Sequence, residues 1–415
     1  MMAEQQMLEK YAELALKKGV NLKESQVLMI NSSIEGVDFT RILVRKAYEL
    51  GAKDVVINWQ DDEITLQRYL HATEEALTTV PQWLVDKYLY YAEDDVALLS
   101  VRSTNPDLLK DVDPERIAKA TKANAESMKA FRKYTMNDKI AWSIISIPTN
   151  DWAMKIFPGK DAETAKELLW EQIFNIVRVN EEDPVKAWDE HNATLKAAHK
   201  ILNDKKYTAL TFTAPGTDIT FGLPKGHIWK GGGAYTEEGR HFNPNMPTEE
   251  VFTMPDKYHV DGVVSSTKPL VYGGNMIDNF KLTFKDGKVV DFEAKTGYET
   301  LKHLLDTDEG AKRLGEIALV PHRSPISQSG LIFYNTLYDE NASCHIALGK
   351  AYPTNIEGGA NMSDEELDAH GVNDSLTHVD FMIGSAELNI DGVLENGETE
   401  AVFRQGEWVL PGMTK

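Results

Sequence analysis

This chain of 415 residues contains one cysteine, Cys344, so no disulfide can form within it and a cross-linked framework is excluded as the basis of its fold. That fits a reducing compartment, and a cytoplasmic location is the expectation. Positive charge is also scarce: 44 Lys and Arg stand against 65 Asp and Glu, a formal net charge of -21. Nucleic-acid affinity rests on clustered cations that displace counterions, so no nucleic-acid partner is expected. Long apolar runs are missing too. The opening Met1-Met2-Ala3-Glu4-Gln5-Gln6 carries acid early, no apolar run follows it, and neither a secretory signal nor a membrane span is expected. Internal repeats and low-complexity tracts are absent. What remains is ordinary globular material, 42% hydrophobic with 28 Gly and 16 Pro, in a length that suits two domains.

The first part of the chain alternates helical and strand patterns. Residues 5–18 place Leu8, Tyr11, Ala12 and Ala15 on one helical face. The run Gln26 to Asn31 reads as a strand, residues 37–50 return to helical period before Gly51, and Asp54 to Asn58 is the next strand. Strand, helix, strand with short apolar strands is the pattern of a right-handed crossover in a parallel sheet buried on both faces. Asp95 to Val101, a helix from Pro114 to about Arg132, and Ile140 to Ser146 extend it. The fold expectation is therefore an N-terminal open α/β sheet domain, residues 1–204, whose last part, 161–204, is a helical connection. No G-x-G-x-x-G or G-x-x-x-x-G-K-[ST] follows these strands, so the backbone cradle for a nucleotide's phosphates is missing.

From about residue 206 the texture changes to short strands and hairpins. Residues 209–213 and 218–222 flank Pro215-Gly216, and residues 281–284 and 288–292 flank Asp286-Gly287, a strong hairpin signal. The acidic stretch from Asp306 is expected to start a helix running into Glu316, and strands are expected near 379–390 and 401–410. Residues 205–415 are thus expected to form an α+β domain of distinct topology.

Oxygen and imidazole ligands of the kind a two-metal hydrolytic site needs gather there: Glu250, Glu316, Glu340, His345, His378 and Asp380, with Tyr352 among them. His378-Val379-Asp380 in a strand puts an imidazole and a carboxylate on one side. Glu316 sits in Gly315-Glu316-Ile317-Ala318-Leu319-Val320, where an ionised carboxylate is costly to bury unless paired or coordinated. Taken singly, the others have plainer readings. Glu340 beside Asp339 reads as a loop acid, His345 before Ile346-Ala347-Leu348 as a core histidine, Glu250 as a turn acid with Glu249 or Glu250 pointing inward, and Tyr352 and Cys344 as packing residues. Trp152, Trp229 and Gly231-Gly232-Gly233 are candidates for lining a substrate pocket, with core packing and turns as the plainer alternatives.

Four segments together resemble a known family. Asn245 to Pro255 (NMPTEEVFTMP), Gly315 to Pro321 (GEIALVP), Asn341 to Tyr352 (NASCHIALGKAY) and His378 to Gly384 (HVDFMIG) are similar to signature segments of the metallo-aminopeptidases that include aminopeptidase T, aminopeptidase S and PepS. The resemblance implies an N-terminal α/β domain, a C-terminal catalytic domain holding two divalent ions, and a homodimer. It places Glu250, Glu316, His345, His378 and Asp380 on metal-ligand positions, Glu340 on a further one, and Tyr352 on the catalytic tyrosine. Glu316 is the choice for the bridging ligand. Zinc or cobalt suits this donor set best, with manganese or magnesium as alternatives. The expected reaction is release of N-terminal residues from peptides by metal-activated water, with Glu316 or Glu250 relaying the proton and Tyr352 stabilising the oxyanion. Two readings compete with it: a two-metal phosphoesterase, and a non-catalytic metal- or peptide-binding protein.

Overall fold

Local pattern and tertiary packing agree most closely at the start of the chain. In the computed structural model, which describes residues 2–103 and 105–413, four strands form a parallel sheet. They are β1 (Val27–Ser33), β2 (Asp54–Gln60), β3 (Ala97–Arg102) and β4 (Trp142–Ser146), in the order β2-β1-β3-β4. β1 and β3 are buried along almost their whole length, as apolar parallel strands require. β2 is an edge strand with exposed ends, so the expectation of burial on both faces fails there. Its outer side has no strand neighbour, and side chains such as Trp59 and Gln60 face water.

Several helical expectations change in detail. The helix from Pro114 stops at Ser127, and a second, Lys129–Met136, follows. The connection 161–204 is two helices, Ala162–Ile176 and Pro184–Lys205. Pro184 has no N–H to donate and so fits the first position of a new helix better than the interior of an old one. The helix Asp62–His71 has no counterpart among the expected elements; none of its side chains is fully buried, and its half-buried side, Asp62, Thr65, Leu66 and Tyr69, mixes polar with apolar residues, so its apolar stripe is weak. Its start is secured locally by the Asp61 carboxylate, which accepts from Ile64 N at 2.9 Å.

Packing divides the chain into two compact units. One holds the chain up to Val112, then Lys119–Ala193 and Gly232–Thr248; the other holds Asp113–Ala118, Thr194–Gly231 and the described residues from Glu249 onward.

The second unit is built on antiparallel sheets. Its nine-stranded sheet includes both expected hairpins, Ala209–Ala214 with Thr217–Gly222 and Asn275–Lys285 with Lys288–Thr296. Asp286 and Gly287 have φ of 49° and 75°, the left-handed pair of a two-residue hairpin turn. A Cβ on Gly287 would lie 1.9 Å from Lys257 O, so glycine is required there. A five-stranded sheet runs in the order His378–Met382, His345–Gly349, Leu314–Leu319, Val251–Thr253, Lys230–Gly231, every neighbouring pair antiparallel. Glu316 therefore lies in a strand. The expected helix is replaced by one short turn, Gly310–Lys312, because Leu314–Leu319 is buried at every position and alternates between two faces. Among the described residues, no helix is long and apolar enough to cross a membrane.

Candidate metal centre

Strand alternation decides which side chains meet on the five-stranded sheet. Glu316 pairs with Ala347, and Ala347 with Asp380; Ala318 pairs with His345, and Gly349 with His378. Paired residues share a face, so Glu316, His345, His378 and Asp380 project from the same side. Ala318, Ala347 and Gly349 lie between them and leave that side unfilled. The opposite side carries Ile317, Leu319, Ile346, Leu348, Val379 and Phe381 into the hydrophobic core. Glu250, two residues before Phe252, joins from the next strand, where Phe252 pairs with Ala318.

A bulge makes this alternation work. Leu314 pairs with Leu348 and Glu316 with Ala347, so Gly315 is an extra residue that sends Leu314 to the core and Glu316 to the open side. A Cβ on Gly315 would lie 2.3 Å from Lys350 O, too close for any other residue.

The polar groups form two triads that share Glu316: Glu250, Glu316 and His345, and Glu316, His378 and Asp380. His345 Nε2 is 2.9 Å from Glu250 Oε2 and 3.6 Å from Glu316 Oε1, while His378 Nε2 is 3.5 Å from both Glu316 Oε2 and Asp380 Oδ1. Each oxygen of Glu316 thus faces a different histidine. Both imidazoles are oriented by backbone: Nδ1 of His345 lies 3.2 Å from Ser343 O, and Nδ1 of His378 lies 2.6 Å from Lys350 O. With Nδ1–H donated to a carbonyl, each Nε2 is the nitrogen turned toward the carboxylates; it donates a proton to them in the metal-free protein and would offer its lone pair to an ion in their place, as metal-binding histidines do.

Electrostatics give the same message. Burial, reinforced by Asp380 and Glu250 and opposed by His345, pushes the Glu316 carboxyl up to about 7. Burial and Asp380 raise that of Glu340 well above the carboxylate range. For His345 burial favours the neutral ring, but Glu250, Glu316 and Asp380 outweigh it and raise its pKa well above normal. His378 is raised to about 9 against the same burial, chiefly by Asp380. The cluster has a surplus of negative charge and draws cations. Glu250 Oε2 and Asp380 Oδ1 are buried without a hydrogen bond of acceptable geometry, the former despite its 2.9 Å approach to His345. Orphaned carboxylate oxygens beside inward-turned Nε2 atoms fit divalent ions as the missing partners.

Glu340 is buried in the turn Glu340–Ala342, within reach of Asp380 and His345, but belongs to neither triad. Tyr352 stands beside the cluster, its ring 5.1 Å from that of His378 and 6.0 Å from Phe252. Burial, then Glu316 and Asp380, raise its pKa well above the usual phenol value, so its hydroxyl stays a donor. Glu249 is buried as well, rather than turned out to water. Cys344 falls on the core side, its thiol against the backbone of Val320, and burial pushes it up to about 12. Trp152 and Trp229 are fully buried packing residues.

Asn341 carries a role that the sequence does not reveal. It is fully buried; its Oδ1 accepts from Glu249 N at 2.7 Å, and its Nδ2 donates to Leu337 O at 2.9 Å and Glu340 Oε1 at 3.4 Å. It ties the backbone at Glu250 to the Glu340 turn. No local signal distinguishes it, since the bond that reaches the Glu250 segment, to Glu249 N, spans 92 residues.

A buried carboxylate shared between two histidine-containing triads, on one side of a small antiparallel sheet, is the donor set that a metal-dependent hydrolase would use. The profile of the family described as "Thermophilic metalloprotease (M29)" matches residues 4–408. Aminopeptidase 2 of Geobacillus stearothermophilus is 55% identical over 97% of this chain and 98% of its own. Aminopeptidase AmpS of Bacillus subtilis (strain 168) is 51% identical over 98% and 99%. A solved structure titled "Wild-type AmpT from Thermus thermophilus" superposes with a TM-score of 0.90 at 42% identity, covering 98% of this chain and 100% of that one. The chain belongs to the M29 metalloprotease family. It is a metal-dependent aminopeptidase.

Proposed function

We propose that this enzyme releases N-terminal residues from peptides with a free amino terminus, using water activated at two divalent ions. The observation that carries the reading is Glu316, whose two oxygens face the two histidines of separate triads. Glu250 and His345 would hold one ion, His378 and Asp380 the other, with Glu316 shared and Glu340 as a further ligand. Ions bound there supply Lewis acidity toward the scissile carbonyl and lower the pKa of water. Glu316 or Glu250 would take the proton of the attacking water and return it to the leaving amine, Glu250 being the one with an oxygen not shared between the triads. Tyr352 donates from its hydroxyl to the oxygen on which negative charge develops.

Zinc or cobalt is the assigned metal, since both accept mixed carboxylate and imidazole ligands; manganese and magnesium are weaker candidates. A phosphoesterase would want a cationic clamp. None of the groups acting most strongly on Glu316, Glu340 or Asp380 is a lysine or arginine. Residues 205–415 are assigned as the catalytic domain and 1–204 as its α/β companion. A cytoplasmic location is supported by the single, buried cysteine. The family resemblance supports a homodimer, for which light scattering should give about twice the chain mass of 46.5 kDa.

The test is hydrolysis of a panel of aminoacyl-p-nitroanilides by metal-stripped protein with zinc, cobalt or manganese restored, alongside Glu316→Gln and a metal count per chain. Two ions per chain and restored cleavage that drops about 10³-fold or more in Glu316→Gln are expected. Full activity at one ion per chain, or in Glu316→Gln, would overturn the shared-ligand assignment.

A further inference from the structure

The parallel sheet of the first unit changes character along its strands. On the side that carries Met29, the row Met29, Val56, Leu98 and Trp142 is apolar and packs with Phe131 and Tyr88. Two residues toward the carboxyl ends, the next row is Asn31, Asn58, Ser100 and Ile144. The one after that brings Ser33, Arg102 and Ser146 to the same side. A parallel sheet that only had to pack would stay apolar to its ends. The polar rows lie across β1 and β3, where the strand order reverses, and open α/β sheets bind ligands in the crevice outside that point.

Polar groups there are under-used. Ser33 and Ser146 are 5% and 0% exposed, and neither Oγ has a hydrogen-bond partner. A hydroxyl left buried without a partner is destabilising. Arg102 has no carboxylate partner among the described residues; Tyr88 is the titratable group that acts on it. The side chain is solvent-exposed, yet surrounding protein desolvates the guanidinium and lowers its pKa. Arg102 therefore ends β3 with an exposed side chain beside two buried, unpartnered hydroxyls. Glu35, Asp61, Asp62 and Asp151 also follow the strands at this end, and none of them is among the groups that act most strongly on Arg102.

Tyr88 extends the polar surface. Its hydroxyl is 3.2 Å from Asn31 Oδ1 and 3.3 Å from Asn58 Nδ2, and Asn58 Oδ1 accepts from Lys87 Nζ at 2.5 Å. Lys87 thus lies beside this polar row, held by Asn58.

We propose that the carboxyl edge of β1, β3 and β4 is a second ligand site, which takes the oxyanion of a small molecule, a carboxylate or a phosphate monoester. Arg102 is the charged anchor, Ser33 and Ser146 donate hydroxyls, and Lys87 closes the rim. The absence of a glycine-rich cradle restricts the ligand to a single terminal oxyanion, because a diphosphate needs a row of backbone N–H groups.

The test is isothermal titration calorimetry of the metal-loaded enzyme with inorganic phosphate, and separately with N-acetyl-dialanine as the free acid and as the amide. Wild type, Arg102→Ala, Arg102→Lys, Ser33→Ala and Glu250→Gln are compared, with circular dichroism to verify folding. The expected result is binding weakened at least about tenfold in Arg102→Ala, less in Arg102→Lys and Ser33→Ala, and retained in Glu250→Gln. Retention in Glu250→Gln separates this site from any phosphate held at the metal centre. Preference for phosphate would point to a phosphorylated metabolite, and preference for the free acid over the amide to a peptide's carboxyl terminus. Absence of binding in wild type, or binding indifferent to Arg102→Ala, would overturn the proposal.

Discussion

The two small sheets of this protein bury their central strands to a similar depth but fill them differently. β1 and β3 carry Leu28, Met29, Ile30, Ala97, Leu98 and Leu99 into apolar packing on both sides. The Leu314–Leu319 and His345–Gly349 strands are buried at every position as well, yet one side of them holds Glu316 and His345. In the parallel sheet, the middles of β1 and β3 are covered on both sides by helices, so a charge there would have nowhere to go. In the antiparallel sheet one side is anchored in the core and the other is left open by Ala318, Ala347 and Gly349. Burial there concentrates the field of the carboxylates and raises the affinity for cations. Depth of burial alone does not tell a structural strand from a catalytic one; what separates them is whether the second side is filled.

If that contrast is right, damage to the two sheets should separate cleanly. Ile30→Ala, in the middle of β1, should lower stability by about 2–5 kcal/mol. Metal content of the protein that remains folded should not change, as read by urea unfolding and metal analysis on the same samples; a loss of metal in that folded fraction would break the contrast. Tyr352→Phe should do the opposite, lowering kcat by about 10²–10³-fold while unfolding and metal content stay at wild-type values.

Smaller effects sharpen the picture. Asn341→Ala should weaken metal binding about 10–100-fold, measured by competition with a chelating dye, because Glu250 and Glu340 lose their common tether. Asn341→Asp, which keeps the acceptor for Glu249 N, should recover part of it. The smallest effect is on pH. In metal-free protein Glu316 is raised from 4.5 to about 7. Its contribution to stability is therefore present below about pH 4.5 and is lost as pH rises through about 7. His378, raised from 6.5 to about 9, has the same sign, with its loss at higher pH, and Asp380, lowered, opposes both. The melting temperature of metal-free protein should fall between about pH 5 and 8, and the increase on adding metal should grow over the same range. A metal-induced increase largest at low pH would contradict the charge surplus inferred for the cluster.

Much of the fold and of the metal centre is legible in the amino-acid sequence. Short apolar runs mark the strands 27–33 and 54–60, and residue types mark the Asp286-Gly287 turn. The helix Asp62–His71 is hard to read, because its half-buried side mixes Asp62 and Thr65 with Leu66 and Tyr69 and leaves only a weak apolar period. Glu316 stands out in sequence as an acid among apolar residues, but its local pattern suggests the end of a helix where the fold has a strand. The bulge at Gly315 masks the strand's alternation, since Leu314 and Glu316, two apart, face opposite sides.

The sequence by itself determined the residue types of the centre, the absence of cross-links, and the family, because those depend on composition and on short contiguous segments whose residues can be read in order along the chain. Only the tertiary structure decided that Glu316 stands between two histidines, that Asn341 holds the approach of Glu250, that Cys344 faces away, and that Ser33, Arg102 and Ser146 share one edge. Each of those facts is a relation across a sheet, set by register and by the side of the strand on which a residue falls. A one-residue shift in register reverses every such relation while leaving the letters of the sequence unchanged.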